Sequence, residues 1–522
     1  MTSFYGEYRE KDIISDEEEN RVSRANVDKW IFRLFLILIG FMPLIVLAHT
    51  EEVISPLISN VSLLTSGTKG DLFTHYKSLI VLVITVIAGL LLLAKICFMN
   101  GQIRKTKLNF FLGAFTFAIV ITTILSPNIS ITLNGQYNRS DGAISWLCYI
   151  SLMFISINIT YPKKAVNYVM YVLIPFVFIN LYIISMNFMG NDLLQKAWMQ
   201  QIISLFLPEG TKLSEGSQLV GTLNQWNYMS GMFAIMTILF LTWAIIEKSW
   251  VQSIIGLITS VSSIAVMFMS ISTSGFLTVL LIFPLVIFSV FKVKHKIKSI
   301  IIISVFLILS SVVLHLLSSE NPRVWSESFG VFLGKNLYTV EEPIATKTEN
   351  FDITLSNKVY ASDDNFKLPI LPDREYGAGS GRLFIWEKIF ELIKNRPIVG
   401  YGLDTVMYNF PHFNIDTRSA MWYDDVIVDK PHNTYVGILY GTGFIGFIPM
   451  MAILTLVVLN ILMNFYKRIN VKYFILGFSS LAYFVQSVFN DSLPGISAVM
   501  WIFIGMMFAL IFAEKEVEES NQ

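Results

Sequence analysis

The chain has 522 residues, of which 54% are apolar and 15% charged, and 38 Lys and Arg balance 38 Asp and Glu. Its mean hydropathy is +0.60. A soluble chain carries about 25% charge, so this composition excludes a set of soluble domains. Zero net charge gives no reason to expect nucleic acid as a partner.

Residues 1–29 are polar and charged and read as a cytoplasmic tail. The apolar run that follows is long enough to remain as an anchor, so no removable signal peptide is expected. Apolar runs of about 20 residues, the length a spanning helix needs, then recur along the chain. Twelve spans are expected: Trp30–His49, Ser78–Phe98, Leu108–Ser126, Gly142–Ile159, Val166–Met186, Trp226–Ile246, Val251–Ser270, Gly275–Phe291, Ser299–Leu317, Asn433–Phe465, Tyr473–Phe489 and Ile496–Phe512. The stretch 251–291 is divided at Ser270–Gly275, because one helix of that length would be about twice the bilayer thickness. Cys97 and Cys148 fall inside apolar runs and read as core thiols, not a disulfide or a metal site.

The loops test the count. Arg9, Lys11, Arg21, Arg24 and Lys29 precede the first span; Arg104, Lys105 and Lys107 follow the second; Lys163 and Lys164 the fourth; Lys248 the sixth; Lys292, Lys294, Lys296 and Lys298 the eighth; Lys467, Arg468 and Lys472 the tenth. All share one side if the N-terminus is cytoplasmic, as the positive-inside rule requires. Both termini are then inside, and the polar insert 319–431 is outside. The acidic end, residues 514–522, reads as a second solvated tail. No internal repeat is visible, which weakens an inverted-repeat transporter architecture.

The insert is irregular through about Asp373. A flexible Gly377–Gly381 stretch follows, with Ser380 a candidate N-cap. Leu383, Trp386, Ile389, Phe390 and Ile393 recur at helical spacing up to Asn395, and Pro397 stops the helix. This predicts an amphipathic helix on the outer bilayer face or on the bundle. Gly400-Tyr401-Gly402 reads as a tight turn, and a loop with Arg418, Asp424, Asp425, Asp429 and Lys430 leads to Pro431-His432-Asn433-Thr434-Tyr435.

Arg382 opens the amphipathic helix, where a guanidinium can grip a phosphate or simply pair with a loop carboxylate. His432 can serve as a general base or phosphate donor or be an ordinary interfacial histidine. His412 and His315 read as structural. Arg139, in the segment 134–142, either binds an anionic headgroup or pairs with Asp141. Asn224, Gln225 and Asn227 at the sixth span, and Gln486, Asn490 and Asp491 at the eleventh, are costly in a membrane and read as functional or as interhelical hydrogen bonds. No phosphate-binding Gly-Lys-Ser/Thr loop, His-Glu-x-x-His or Cys-rich metal site is present. No metal or other cofactor is expected.

Several segments in order resemble the O-antigen ligase and Wzy-type polysaccharide polymerase family of bacteria: Ser380-Gly381-Arg382, Trp386, Arg396-Pro397-Ile398-Val399-Gly400-Tyr401-Gly402, His432-Asn433-Thr434-Tyr435 and Gly443-Phe444-Ile445-Gly446. Gly135–Gly142 and Gly221–Tyr228 are weaker matches. The resemblance implies an all-α integral membrane fold, GT-C-like, with a large extracytoplasmic loop before the tenth helix. It also implies glycosyl transfer from undecaprenyl pyrophosphate-linked glycans at the outer face of the cytoplasmic membrane. Arg382 would bind pyrophosphate and His432 activate the acceptor. Arg139 and Arg418 would be accessory phosphate contacts, with Asn433, Tyr435, Gly400, Gly402 and Asn227 lining the substrate. Many members carry an arginine in a Ser-Arg-Gly segment; here Thr273-Ser274-Gly275 stands in its place, leaving Arg139, Arg418 or Lys430 to substitute.

Three functions fit this reading. A polymerase would join lipid-linked repeats into capsule, exopolysaccharide or O-antigen, working beside a flippase and a chain-length regulator. A ligase would move a finished glycan to lipid, wall polymer or protein. A glycan-lipid flippase or solute transporter fits the span count but leaves the large outer loop unexplained.

Overall fold

The structure, a computed structural model, describes residues 2–208, 219–338, 381–421, 426–467 and 472–520. Its elements in chain order are α1 (Thr2–Gly40), β1 (His49–Val53), β2 (Gly67–Asp71), α2 (His75–Phe98), α3 (Lys107–Ile124), α4 (Ile129–Asn134), α5 (Ala143–Ile157), α6 (Ala165–Phe188), α7 (Ala197–Ile203), α8 (Trp226–Ile246), α9 (Trp250–Met269), α10 (Thr273–Ser289), α11 (Lys296–Glu320), α12 (Arg323–Ser326), α13 (Gly330–Leu333), α14 (Arg382–Asn395), α15 (Val406–Asn409), α16 (Ile415–Ala420), α17 (Thr434–Lys467), α18 (Tyr473–Gln486) and α19 (Pro494–Ser520).

The protein is an all-α integral membrane protein. Among the described residues eight helices are long and apolar enough to cross a membrane. Three shorter apolar helices, α5, α10 and α18, fall on further expected spans. The stretch 251–291 is two helices, α9 and α10, turning at Ile271 with φ 44°. Helix α8 is apolar on every side and wholly buried from Tyr228 to Ile246, as a central helix must be. It packs against α9, α10 and α18, while α19 lies on α5 and α17 on α3. By contrast α2 and α11 keep Leu90, Leu93, Ile301 and Ile308 exposed, apolar faces suited to lipid.

Two expectations are corrected. The first span, Trp30–His49, is too long: α1 stops at Gly40, a 3-10 turn carrying Pro43 follows, and His49 already belongs to β1. Proline has no N–H to continue a helix. The antiparallel pair β1–β2, His49 opposite Asp71 and Val53 opposite Gly67, is mostly polar and gives no alternating apolar signal. Of the two cysteines, Cys148 is buried but Cys97 is exposed on α2.

The feature that shapes the site is a break in α17. Gly443 adopts φ 59° and ψ −165° in the middle of the helix, freeing backbone groups that would be costly at membrane depth unless protein satisfies them. The segment after α14 does so: Pro397 O accepts from Phe444 N at 2.8 Å and Ile398 O from Ile445 N at 3.2 Å. In return Tyr401 N donates to Tyr440 O at 3.0 Å and Gly402 N to Gly441 O at 2.8 Å. The expected amphipathic helix is α14. It lies on the bundle, with Ile385, Ile389 and Ile393 buried beside Val436 and Tyr440 of α17.

Candidate active site

The site forms where α17 begins. Asn433 caps that helix: its Oδ1 accepts the N–H groups of Tyr435 at 2.9 Å and Val436 at 3.1 Å, the bonds an N-cap makes. Thr434 donates to the carbonyls of Ser487 and Asn490, and Tyr435 Oη to Phe484 O at 2.8 Å. These bonds tie the start of α17 to the end of α18. Asn433 and Tyr435 are therefore held as scaffold.

His432, one residue before the cap, is left-handed at φ 53°, a conformation unusual for a residue with a Cβ and often found at functional sites. Its neighbour Pro431 is pinned from above, because Trp386 Nε1 of α14 donates to Pro431 O at 2.7 Å. His432 Nδ1 lies 3.8 Å from Asp491 Oδ2 and the ring is 28% exposed. That separation is too long for a hydrogen bond, so the contact is electrostatic. Burial first, then Lys430 and Arg382, holds the imidazole well below its usual range, against the opposing pull of Asp429. These influences favour the neutral imidazole.

Behind it lies a buried charge cluster. Arg139 is 2% exposed. Its Nε and Nη2 both reach Asp404 Oδ1, at 2.8 and 2.6 Å, and its Nη1 reaches Asp429 Oδ2 at 2.7 Å. Asp141, one of its two candidate partners, forms no ion pair with it and accepts instead from the Ser492 hydroxyl. A guanidinium committed to two carboxylates is not a free headgroup contact but the post that fixes the residue 404 and 429 loops. Burial and neighbouring Asp404 push the Asp141 carboxyl well above its ordinary value. Burial likewise lifts Asp491 to about 6, with Lys430 and Arg139 opposing. Asp491 Oδ1 accepts from Asn433 N at 3.2 Å, while its Oδ2 has no hydrogen-bond partner among the described residues.

Lys430 is 3% exposed. Its Nζ donates to the Tyr228 hydroxyl at 3.1 Å and sits 4.9 Å from the centre of that ring. A cavity of about 40 Å³ separates Lys430, Arg139, Asp141, Asp404 and Asp491, room for about one water and too little for a sugar. His432 and Arg382 lie at the partly exposed rim of this cluster. Arg382, half-buried at the start of α14, is close enough for its charge to act on His432 and for that of Asp491 to act on it. Among the described residues it forms no hydrogen bond or ion pair, so its guanidinium donors are unspent there. The candidate cap Ser380, with Asp424 and Asp425, lies outside the described residues.

The other expected contacts are elsewhere or structural. Arg418 donates to Val426 O at 2.7 Å and no contact among the described residues joins it to His432. His412 is buried and bonded to Met407 O, and His315 meets the Tyr338 hydroxyl; both are structural. Asn227 accepts from Ser272 Oγ at 3.0 Å and its carbonyl from Asn490 Nδ2 at 3.0 Å, joining α8 to the α18–α19 turn. Gly400 and Gly402, at φ 66° and 102°, serve close packing: a Cβ on Gly400 would lie 2.4 Å from Tyr440 O and one on Gly402 2.1 Å from Thr132 Oγ1. Sequence reasoning misses Asp404; its one local signal is its place just after Gly402.

A search of curated proteins finds none that matches this chain. Residues 258–451 match the family model described as O-Antigen ligase. The matched stretch includes Arg382, Asp404, Asp429, Lys430 and His432 but not Arg139, Asp141 or Asp491, which the fold adds from outside it. Through residues 258–451 the chain is similar to the O-antigen ligase family, the family that its ordered motifs resemble.

Proposed function

We propose that the protein is a polymerase of undecaprenyl pyrophosphate-linked oligosaccharide repeats, acting at the outer face of the bacterial cytoplasmic membrane. The matched family model supports the coarser activity, an O-antigen ligase- or polymerase-like glycosyl transfer with lipid-linked glycans as substrates. The outer placement follows from the one-sided distribution of Lys and Arg in the loops. The observation that carries the residue assignment is the meeting of a left-handed His432, an Arg382 with no hydrogen bond or ion pair among the described residues, and the largely buried carboxylate of Asp491 at one helix start.

In the transfer, an acceptor hydroxyl attacks the anomeric carbon of the donor. The C–O bond to pyrophosphate breaks, its electron pair leaves with the lipid pyrophosphate, and the hydroxyl proton passes to His432. Arg382 meets the charge developing on the leaving group, and Lys430, buried behind the rim on Tyr228, acts on that charge only through its field. A histidine with a depressed pKa is a weak base, and the donor itself corrects this. Its pyrophosphate offsets the charges of Arg382 and Lys430, leaving Asp491 and Asp429 to favour the imidazolium. Arg139 holds Asp404 and Asp429 in place and does not touch substrate.

The description of the matched family favours a second reading, a ligase that hands a finished glycan to lipid, wall polymer or protein. Both share the donor site. Deleting the gene in its host and sizing surface glycans and lipid-linked intermediates separates them. Arrest at a single repeat supports the polymerase. Full-length polymer stranded on carrier lipid supports the ligase, and unchanged glycans would refute both.

A further inference from the structure

A second cluster of chemistry-bearing residues sits away from this site, on the β1–β2 pair. His49 and Glu51 are two residues apart on β1 and so project from the same face of the strand. His75 opens α2. The register sets His49 opposite Asp71, and the Asp71 carboxylate accepts the N–H groups of Phe73, Thr74 and His75, the last at 2.6 Å. One acidic residue thus fixes the helix start against the strand and brings the third side chain over the first two.

The outcome is a set of three neighbouring donors. One ligand atom from each of His49, Glu51 and His75 lies within 4.8 Å of the others. The two imidazoles stack with centroids 3.4 Å apart at an angle of 13°. Donors bound to one tetrahedral zinc ion at about 2.0–2.1 Å lie roughly 3.4 Å from each other, so binding requires the two rings to unstack and turn their nitrogens towards a common point. Glu51 is exposed and both histidines are half-buried, which leaves solvent access for an entering ion and a fourth ligand.

We propose that His49, Glu51 and His75 form a binding site for a divalent transition-metal ion of the zinc class. Two imidazole nitrogens and a carboxylate oxygen suit zinc better than calcium or magnesium, which prefer all-oxygen shells. The bound ion would clamp β1 to α2. The brace extends towards the transfer site, since Thr74 Oγ1 lies 3.4 Å from Ser140 Oγ, next to Arg139. The site takes no part in the transfer chemistry.

The test uses the full-length protein, purified in detergent without a histidine tag and stripped with chelator. Zinc is titrated against a chromophoric competitor, and the bound ion is examined by X-ray absorption. One zinc per chain is expected, with nitrogen and oxygen donors at about 2.0–2.1 Å. Loss of a group that merely hydrogen-bonds a metal ligand weakens metal sites about 10–100-fold, so His49→Ala and His75→Ala, which remove ligands, should weaken binding at least about 100-fold. His315→Ala should leave it unchanged. Glu51→Gln, at an exposed position, should weaken it at least about tenfold and decides the matter if either histidine variant fails to fold. No stoichiometric zinc in the wild type, or zinc retained unchanged in Glu51→Gln and the histidine variants, overturns the proposal.

Discussion

Replacing Asp491 by Asn separates chemistry from stability at this site. The carboxylate lies 3.8 Å from His432 Nδ1. At an effective dielectric of about 20, opposite charges at that distance attract by about 4 kcal/mol. The neutral amide of the Asp491→Asn variant could not supply this attraction when His432 becomes cationic, and about 4 kcal/mol corresponds to roughly a thousandfold in rate. Lys430 and Arg139 share the carboxylate's field, so a fall of about 10²- to 10³-fold is expected. Stability should move the other way. Burial lifts the Asp491 carboxyl from 3.8 to about 6, which corresponds to about 3 kcal/mol. The folded form binds this proton more tightly than the unfolded chain does. The group therefore supports folding fully below about pH 4, and that support is lost as pH rises through about 6. At a pH of about 7.5, above that range, the fold carries an ionised buried carboxylate, and the Asn variant should be as stable as wild type or more so. The assay is transfer by purified protein in liposomes across the acid-to-neutral range, with thermal unfolding in detergent alongside. Wild-type activity should rise through about pH 6 as the Asp491 carboxyl ionises, and the variant should lose that limb. A variant with transfer close to wild type and its acid limb intact would refute this role for Asp491.

Other outcomes follow from the same geometry. Arg382→Ala should lower transfer by roughly 100-fold or more with membrane abundance unchanged, and Arg382→Lys should recover only part, since an ammonium lacks the planar fork; glycan ladders and immunoblots read both. Arg139→Ala leaves Asp404 buried without its cation, which costs about 3–5 kcal/mol and should appear as a fall in thermal stability before any specific loss of transfer. Gly443→Ala places a Cβ 2.3 Å from Ile398 O at φ 59°. The backbone strain alone costs about 1–3 kcal/mol, and folded protein recovered from membranes should drop sharply.

The apolar helices are legible in the sequence because their length and composition answer directly to the bilayer. The amphipathic helix of residues 382–395 is legible from its period, and His432 from its place at a polar-to-apolar boundary. The break at Gly443 is not, since apolar residues continue through it and only the opposing backbone of 397–402 reveals it. The clustered carboxylates come from four separate segments, at residues 141, 404, 429 and 491. No local spacing links them. Arg139 shows the same limit: its segment suggests either a contact with an anionic headgroup or a pair with Asp141, and tertiary folding turns it inward onto Asp404 and Asp429.

The most direct test is reconstitution of the purified protein in liposomes with a lipid pyrophosphate-linked oligosaccharide as both donor and acceptor. Time-dependent appearance of longer glycans with matching release of lipid pyrophosphate, abolished by His432→Ala, is the expected result. No transfer by well-folded wild-type protein, or equal transfer by His432→Ala, would contradict the assignment of this site.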